Sequence, residues 1–477
     1  MRIFMKGLQN SKKEKDVVLK RSYTYSDRPS DVTLINMNLM LVKIGKEYDR
    51  ENYIPLGVLY IASFLEKKGY NVEFIDYQLF SHAEYFDVDL FIKALGKTAP
   101  VVGFSCMSNL FPFTVMCAKR LKEINPDCKV ILGGVGPSPV AKEAIEAFPF
   151  IDCVVTGEGE LNMLKIMEDE IEPLPPVRIA KDLDEIGLPA FSLIDFNDYD
   201  AKPSTISSRG CPYSCTFCTE PHNFGVGVRY RSIDLLVEEL ELIHKASGET
   251  LFLFQDDNLP LDRERFNKMM KAFEKLSFPI KWKCFGRVNL MDEEIMKEMV
   301  DHGCIQIRYG IESGANSILK KIRKGFSIEE AYEVTKQSVA LFESVHASFI
   351  WGYPFEDEKE FQQTLEWVTK FQDVGATVLL FEFAPLPGSE IYKHYNEGLK
   401  FARDDYSIFV VTGHESVGKN NYKINSNYNE IYKLIEKYPK IFPGFYKYHN
   451  KDLLRKKHRL SQYFVTRRNA PKNEADL

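Results

Sequence analysis

The sequence predicts an α/β chain: a doubly wound, Rossmann-like N-terminal domain, a partial (β/α)6 barrel, and an α-rich C-terminal extension. Three observations predict it. Short β-branched runs alternate with helical patterns in two successive sets, and such alternation builds parallel sheets. The 477 residues are too many for one ordinary core. Three thiols, Cys211, Cys215 and Cys218, follow the first strand of the second set, the end at which parallel barrels carry their chemistry.

Residues 1–30 read as a poorly ordered or peripheral lead-in. The first domain covers 31–171, with strands at 32–36, 71–75, 101–105, 129–132 and 153–156. Helical patterns at 55–68, 87–97, 113–124 and 139–148 separate them, with Pro55 suited to a first helical position and Gly69 to a helix end. Ligands of such sheets bind beyond the carboxyl ends of the strands. Here those ends carry Ser105, the Gly133-Gly134 turn and the Gly157-Glu158-Gly159-Glu160 turn. Residues 172–202 are proline-rich and without clear period, which marks a linker. The second set, within 203–390, has strands at 204–208, 250–255, 280–285, 304–309, 347–351 and 377–383. Its helices read at 233–245, 262–276, 292–302, 328–342 and 359–372. From 391 to 477 the pattern degrades into the extension.

Apolar residues at 44% and charged residues at 27% describe a globular chain. A formal net charge of −6 gives no basic field to recruit nucleic acid. The Lys/Arg-rich stretch 451–468 reads as a solvated helix face. No apolar run is long enough to span a membrane, and residues 1–20 are polar and lysine-rich without a signal-peptide core, so a cytoplasmic setting is expected. Cys106, Cys117, Cys128, Cys153, Cys284 and Cys304 share no close ligand spacing and read as buried apolar residues.

The C-x3-C-x2-C run opens with Arg209-Gly210 and has Phe217 before its last cysteine. Cysteine thiolates are the standard ligands of iron–sulfur clusters. Three ligands on a four-iron cube leave one iron open, which a catalytic metal needs. A competing reading adds His222 to close a Cys3His zinc site, in a non-catalytic interaction protein. The run resembles the cluster motif of the radical S-adenosylmethionine (SAM) enzymes. That resemblance implies a [4Fe-4S] cluster on Cys211, Cys215 and Cys218, with SAM chelated at the open iron and cleaved to a 5′-deoxyadenosyl radical.

Further strand ends carry the same resemblance. It implies SAM contacts from Phe217, from Asp256 and Asp257 after the second barrel strand, from Arg287 after the third, from Arg308, Glu312 and Ser313 on the fourth, and from Gly352 after the fifth. Helix capping by the aspartates, a surface Arg287 and an Arg308–Glu312 structural ion pair are the plainer alternatives. The first domain is similar to the cobalamin-binding domain preceding the barrel in one large radical SAM class, which implies corrinoid contacts from Ser105, Gly133, Gly134, Gly157 and Glu158. The histidine-bearing D-x-H-x-x-G motif of other cobalamin proteins is absent: residues 36–40 hold no histidine.

The expectation is a cobalamin-dependent radical SAM methyltransferase, acting on an unactivated carbon through the deoxyadenosyl radical and methylcobalamin. The alternative on the same scaffold is a cyclase, oxidoreductase or carbon–carbon coupling enzyme without methyl transfer. The expected partners are a small-molecule, lipid or peptide substrate and an external flavodoxin- or ferredoxin-like one-electron donor. The run 413–419 matches G-x4-G-K but lacks the following Ser or Thr of a phosphate loop, and reads as a surface turn. The aromatic cluster 442–449 is expected to pack on the barrel or line its pocket.

Overall fold

The computed structural model describes residues 19–460 except 26, 40, 45, 46, 81–85, 176, 178, 226, 402–428, 449–451, 453, 454 and 457; the side chains of 41–50 and of His222 are also outside the description. The run 413–419 therefore lies outside the described residues.

Two six-stranded sheets organise the chain. The first uses β1 (Arg21–Tyr23), β2 (Val32–Met37), β3 (Val72–Asp76), β4 (Val101–Cys106), β5 (Lys129–Gly133) and β6 (Cys153–Val154), in the order β1-β3-β2-β4-β5-β6. All pairs are parallel except β1 with β3. The five parallel strands follow a doubly wound order whose switch point lies between β2 and β4. The lead-in differs from expectation. Arg21–Tyr23 pairs with Glu73–Ile75, and Arg21 bonds Glu73 at 2.5 Å, so an edge strand is recruited that has too little apolar character to show in the sequence.

Alternation along these strands sends side chains to opposite faces. Leu34, Phe74 and Ile131 pack with α1 (Leu56–Lys67) on one face, and this cluster runs on into the barrel. Ile35, Ile75 and Leu132 face the other layer, with α2 (Val88–Leu95), α3 (Phe111–Ile124) and α4 (Ala141–Ala147). A fifth helix, α5 (Gly159–Met167), begins directly at the glycine turn after β6.

The barrel sheet is wholly parallel and runs in strict sequence order: β7 (Ser204–Thr205), β8 (Leu251–Phe254), β9 (Lys281–Gly286), β10 (Cys304–Glu312), β11 (Ser344–Trp351) and β12 (Thr377–Glu382). β7 and β12 are the unpaired edges, so the barrel is open. Its helices α6 (Ile233–Ser247), α7 (Arg263–Phe273), α8 (Glu293–Asp301), α9 (Ile328–Val339) and α10 (Glu358–Asp373) each start at a side-chain cap: Ser232, Asp262, Asp292, Ser327 and Asp357. Each cap accepts from a backbone N–H three residues on, satisfying a donor that the helix start leaves unpaired.

The segment between the domains is bound down. Tyr199 donates to Asp76 at 2.9 Å, the Ala190 N–H donates to the Leu59 carbonyl, and Ala180, Leu183 and Ile186 pack around Tyr60. The C-terminal aromatics also differ from expectation. Phe442 stacks edge-on against Phe111 at 5.1 Å, and Phe445 and Tyr446 join the N-terminal domain's outer core. The cluster packs there with Phe111 of α3 and with Phe148, just after α4. Tyr448 reaches the barrel, against Phe383, and so does Lys447, paired to Glu382 at 2.8 Å. Lys456, expected on a solvated face, is buried and pairs with Glu356 at 2.9 Å.

Candidate functional site

The chain leaves β7 and forms a small ribbon, Ser208–Arg209 against Arg229–Tyr230, that closes the base of the cysteine loop. Gly210 has a φ of +89°, and a Cβ there would sit 2.4 Å from the Gly227 carbonyl oxygen, so the turn into Cys211 needs glycine. All three thiols are partly buried and none is in a disulfide. Each sulfur receives an N–H donor: Asn258 Nδ2 on Cys211 at 3.3 Å, Arg287 Nη1 on Cys215 at 3.5 Å, and the Glu220 backbone N–H on Cys218 at 3.4 Å. Burial pushes the Cys211 and Cys218 thiols up, the latter to about 12. Donors aimed at all three sulfurs suit thiolates that share charge with a metal cluster. Among the described residues no group of three or more His, Cys, Asp or Glu could hold a single metal ion; a cluster binds its cysteines through separate irons and needs no such convergence.

Around the loop stand most of the residues singled out in the sequence. Arg287 is buried, stacks on Tyr213 at 3.9 Å and donates to the Lys324 carbonyl. Asp257 is pushed up to about 6, by burial first and the Asp256 charge second. The Asp256 carboxylate is engaged from the segment just after β7: it accepts from the Ser207 N–H at 2.9 Å and from the Ser207 and Ser208 hydroxyls at 2.7 and 2.5 Å. Glu312 has a φ of +75° and pairs with Lys324 at 3.4 Å. Ser313 contacts Thr364 at 3.3 Å. Gly352, at φ +85°, donates its N–H to Glu356 at 2.7 Å. The Lys324 ammonium lies 5.8 Å from the Phe217 ring centre. Arg308 stands apart, mid-strand in β10, beside His346.

The sequence did not single out Lys324 or Asn258 as site residues, and it placed Lys456 on a solvated face. Their partners lie between 12 and 100 residues away, beyond any local spacing rule.

A cavity of about 500 Å³ opens at the carboxyl ends of β2, β4 and β5. Ser105, Gly133, Gly134, Gly157 and Glu158 all line it, and so do Ser204, Ile206, Arg209 and Gln255 from the barrel side. Gly134 has a φ of +92°, and a Cβ there would lie 2.7 Å from the Cys106 carbonyl oxygen. Asn38 Oδ1, on the wall, is buried without a hydrogen-bond partner. An apolar, glycine-floored cavity with an orphan acceptor fits a large flat group lying against backbone. Among the described residues no lining residue is a histidine. The Glu158 carboxylate is already engaged, bonding Arg229 at 2.6 Å, Arg209 at 3.4 Å and the Ala180 N–H at 2.9 Å. Glu160 pairs with Arg209 at 2.7 Å. The turn that lines the cavity is thus tied to the residue two positions before Cys211.

Residues 49–166 match the B12 binding domain, and residues 205–368 match the Radical SAM superfamily. An uncharacterized methyltransferase of Pyrococcus horikoshii is 27% identical over 363 residues, covering 71% of this chain and 78% of that one. An anaerobic magnesium-protoporphyrin IX monomethyl ester cyclase of Rubrivivax gelatinosus is 23% identical over 383 residues, covering 72% and 67%. The fold is shared with a radical SAM methyltransferase, TsrM, of Kitasatospora setae, solved with cobalamin and a [4Fe-4S] cluster bound: TM-score 0.63 and 16% identity over 80% of this chain and 82% of that one. A glycine-floored cavity and a three-thiol loop thus stand on a B12 binding domain followed by a Radical SAM superfamily domain, and these two domains imply a [4Fe-4S] cluster, SAM and cobalamin as cofactors.

Proposed function

We propose that this enzyme transfers a methyl group to an unactivated carbon of a small-molecule substrate. The observation that carries the reading is the shared cavity: its floor is the corrinoid-type sheet end, and its far wall is the first barrel strand and Arg209. The cavity thus reaches the base of the cysteine loop, at Arg209, Asn223 and Phe224. When bound, the cluster and SAM supply a substrate radical and cobalamin supplies a methyl group.

The chain's own part is to hold and orient. Cys211, Cys215 and Cys218 hold the cluster, with Asn258, Arg287 and the Glu220 N–H balancing the sulfur charge. Phe217, Asp257, Arg287, Glu312, Ser313 and Gly352 hold SAM, and Asp256 fixes the strand beneath it through Ser207 and Ser208. Ser105, Gly133, Gly134, Gly157 and the Glu158 backbone carry the corrinoid. No described helix is long and apolar enough to cross a membrane. Nine free cysteines suit a reducing, cytoplasmic setting, and the radical chemistry proposed calls for an external one-electron donor, flavodoxin- or ferredoxin-like.

Anaerobic purification with hydroxocobalamin, followed by absorbance, metal and product analysis, tests the reading. S-adenosylhomocysteine formed together with 5′-deoxyadenosine supports methylation. Deoxyadenosine alone moves the enzyme to cyclase, oxidoreductase or coupling chemistry. A colourless protein holding zinc refutes both. Cys215→Ala should lose the brown colour and SAM cleavage together.

A further inference from the structure

The barrel lumen holds basic side chains that the cofactors' sites leave unused. Along β10, Ile307, Tyr309 and Ile311 are buried against the outer helices, where Tyr309 meets Ser338 of α9 at 2.8 Å. Strand alternation therefore turns Arg308 to the lumen. The register places Phe285, Arg308 and His346 side by side on β9, β10 and β11. Lys283 shares the lumen face of β9, since Trp282 and Cys284 are buried on the other face.

Arg308 has no carboxylate partner among the described residues. Its contacts are His346 Nδ1 at 3.4 Å and the Phe285 ring at 5.5 Å, and its Nε is buried without any hydrogen-bond acceptor. Lys283 makes no described ion pair either. Burial pulls the Arg308 guanidinium below its usual range, opposed only by the Tyr53 hydroxyl. Partly desolvated cations without countercharge are costly and call for an anion.

Position decides which anion. Phe285 lies two residues before Arg287, so the Arg308 layer sits about 7 Å down the strands from the level of Arg287, whose side chain reaches Cys215. No cysteine-loop residue touches Arg308. Its neighbour instead is Tyr53, which lines the corrinoid-type cavity and is gripped through its backbone by Gln78, with the Tyr53 N–H donating at 3.0 Å and the Gln78 amide donating back at 2.9 Å. The guanidinium thus lies in the lumen, within electrostatic reach of a residue on the wall of the corrinoid-type cavity.

We infer that the substrate carries an oxyanion, a carboxylate or a phosphate-type group, and that Arg308, with Lys283 beside it, binds that group in the barrel lumen. The inference rests on the radical SAM reading of the site and takes Arg308 away from SAM. A fork of N–H donors against an apolar floor selects planar or tetrahedral oxyanions. The substrate then hangs from its anionic end with the rest of the molecule directed to the barrel mouth.

The test uses protein reconstituted with cluster and hydroxocobalamin, and two probes, benzoate and phenylphosphonate, titrated by calorimetry. Saturable binding of either probe is expected, and the preferred one gives the oxyanion type. Arg308→Met and Lys283→Met should each weaken it, the former by about tenfold or more, as a lost charge-assisted bond predicts. Arg308→Lys should restore part of the loss, which separates charge from folding. SAM affinity, measured by equilibrium dialysis, should be retained in Arg308→Met. Binding of neither probe to the unaltered protein, equal probe binding in Arg308→Met, or a tenfold loss of SAM affinity in that variant each overturns the assignment. Failure of the unaltered protein to take up a cluster is a separate result, and it overturns the enzyme reading itself.

Discussion

Arg209 links the cysteine loop to the cavity turn, and replacing it measures how strongly the domains are joined. Its guanidinium meets Glu160 at 2.7 Å and Glu158 at 3.4 Å, with side chains only 8%, 4% and 1% exposed. Burial alone would lower its pKa, but the Glu160 and Glu158 charges hold it above the usual value. At an effective dielectric of about 20, the 2.7 Å contact is worth roughly 6 kcal/mol of attraction before desolvation is charged against it. Glu158 keeps Arg229 at 2.6 Å, so Arg209→Met leaves Glu160 as the uncompensated buried charge. Breaking such a pair from one side costs about 3–5 kcal/mol. Urea unfolding of the apoprotein should show that loss. Arg209→Met/Glu160→Gln should recover much of it, giving a coupling energy of about 2 kcal/mol or more. A single-variant loss below about 1 kcal/mol, or strict additivity, would refute the claim that this pair is buried and coupled.

Three further outcomes follow from other contacts. Gly134→Ala puts a Cβ 2.7 Å from the Cys106 carbonyl at a left-handed φ, so cobalamin retained through gel filtration should drop about tenfold; full retention would mean the corrinoid does not use this turn. Burial raises the Asp76 carboxyl to about 6 from 3.8, so the native state holds that proton more tightly than the unfolded chain. Its stabilising effect is complete below about pH 4 and is lost as pH rises through 6; Asp76→Asn should gain about 3 kcal/mol on the unaltered protein over that span, and parallel urea midpoints from pH 4 to 7 would contradict this. Lys456→Met strips the buried countercharge from Glu356, which accepts the Gly352 N–H, so SAM affinity should fall about three- to tenfold, with partial rescue by Glu356→Gln; unchanged affinity in dialysis would disconnect the C-terminal segment from this loop.

Much of the fold was legible because its signals are local. Ser232, Asp262, Asp292, Ser327 and Asp357 cap their helices through bonds spanning three residues. The β-branched runs gave the strands, and the cysteine spacing gave the loop, because here all three thiols fall in one short stretch, 211–218. The ion pairs were not legible. Glu158, read as a corrinoid contact, spends its carboxylate on Arg229, 71 residues away. Asp256, read as a SAM contact, spends its own on Ser207, 49 residues earlier.

Sequence by itself determined the two βα sets, their order and the three thiols, since capping, alternation and ligand spacing act within one turn or strand. Tertiary structure alone decided that Phe442 packs on α3 rather than the barrel, that Lys456 is buried, and that Arg308 faces Tyr53 across the domain boundary. A side chain's partner across sheets depends on parallel register and on how two domains dock, and neither is written in any window of neighbouring residues.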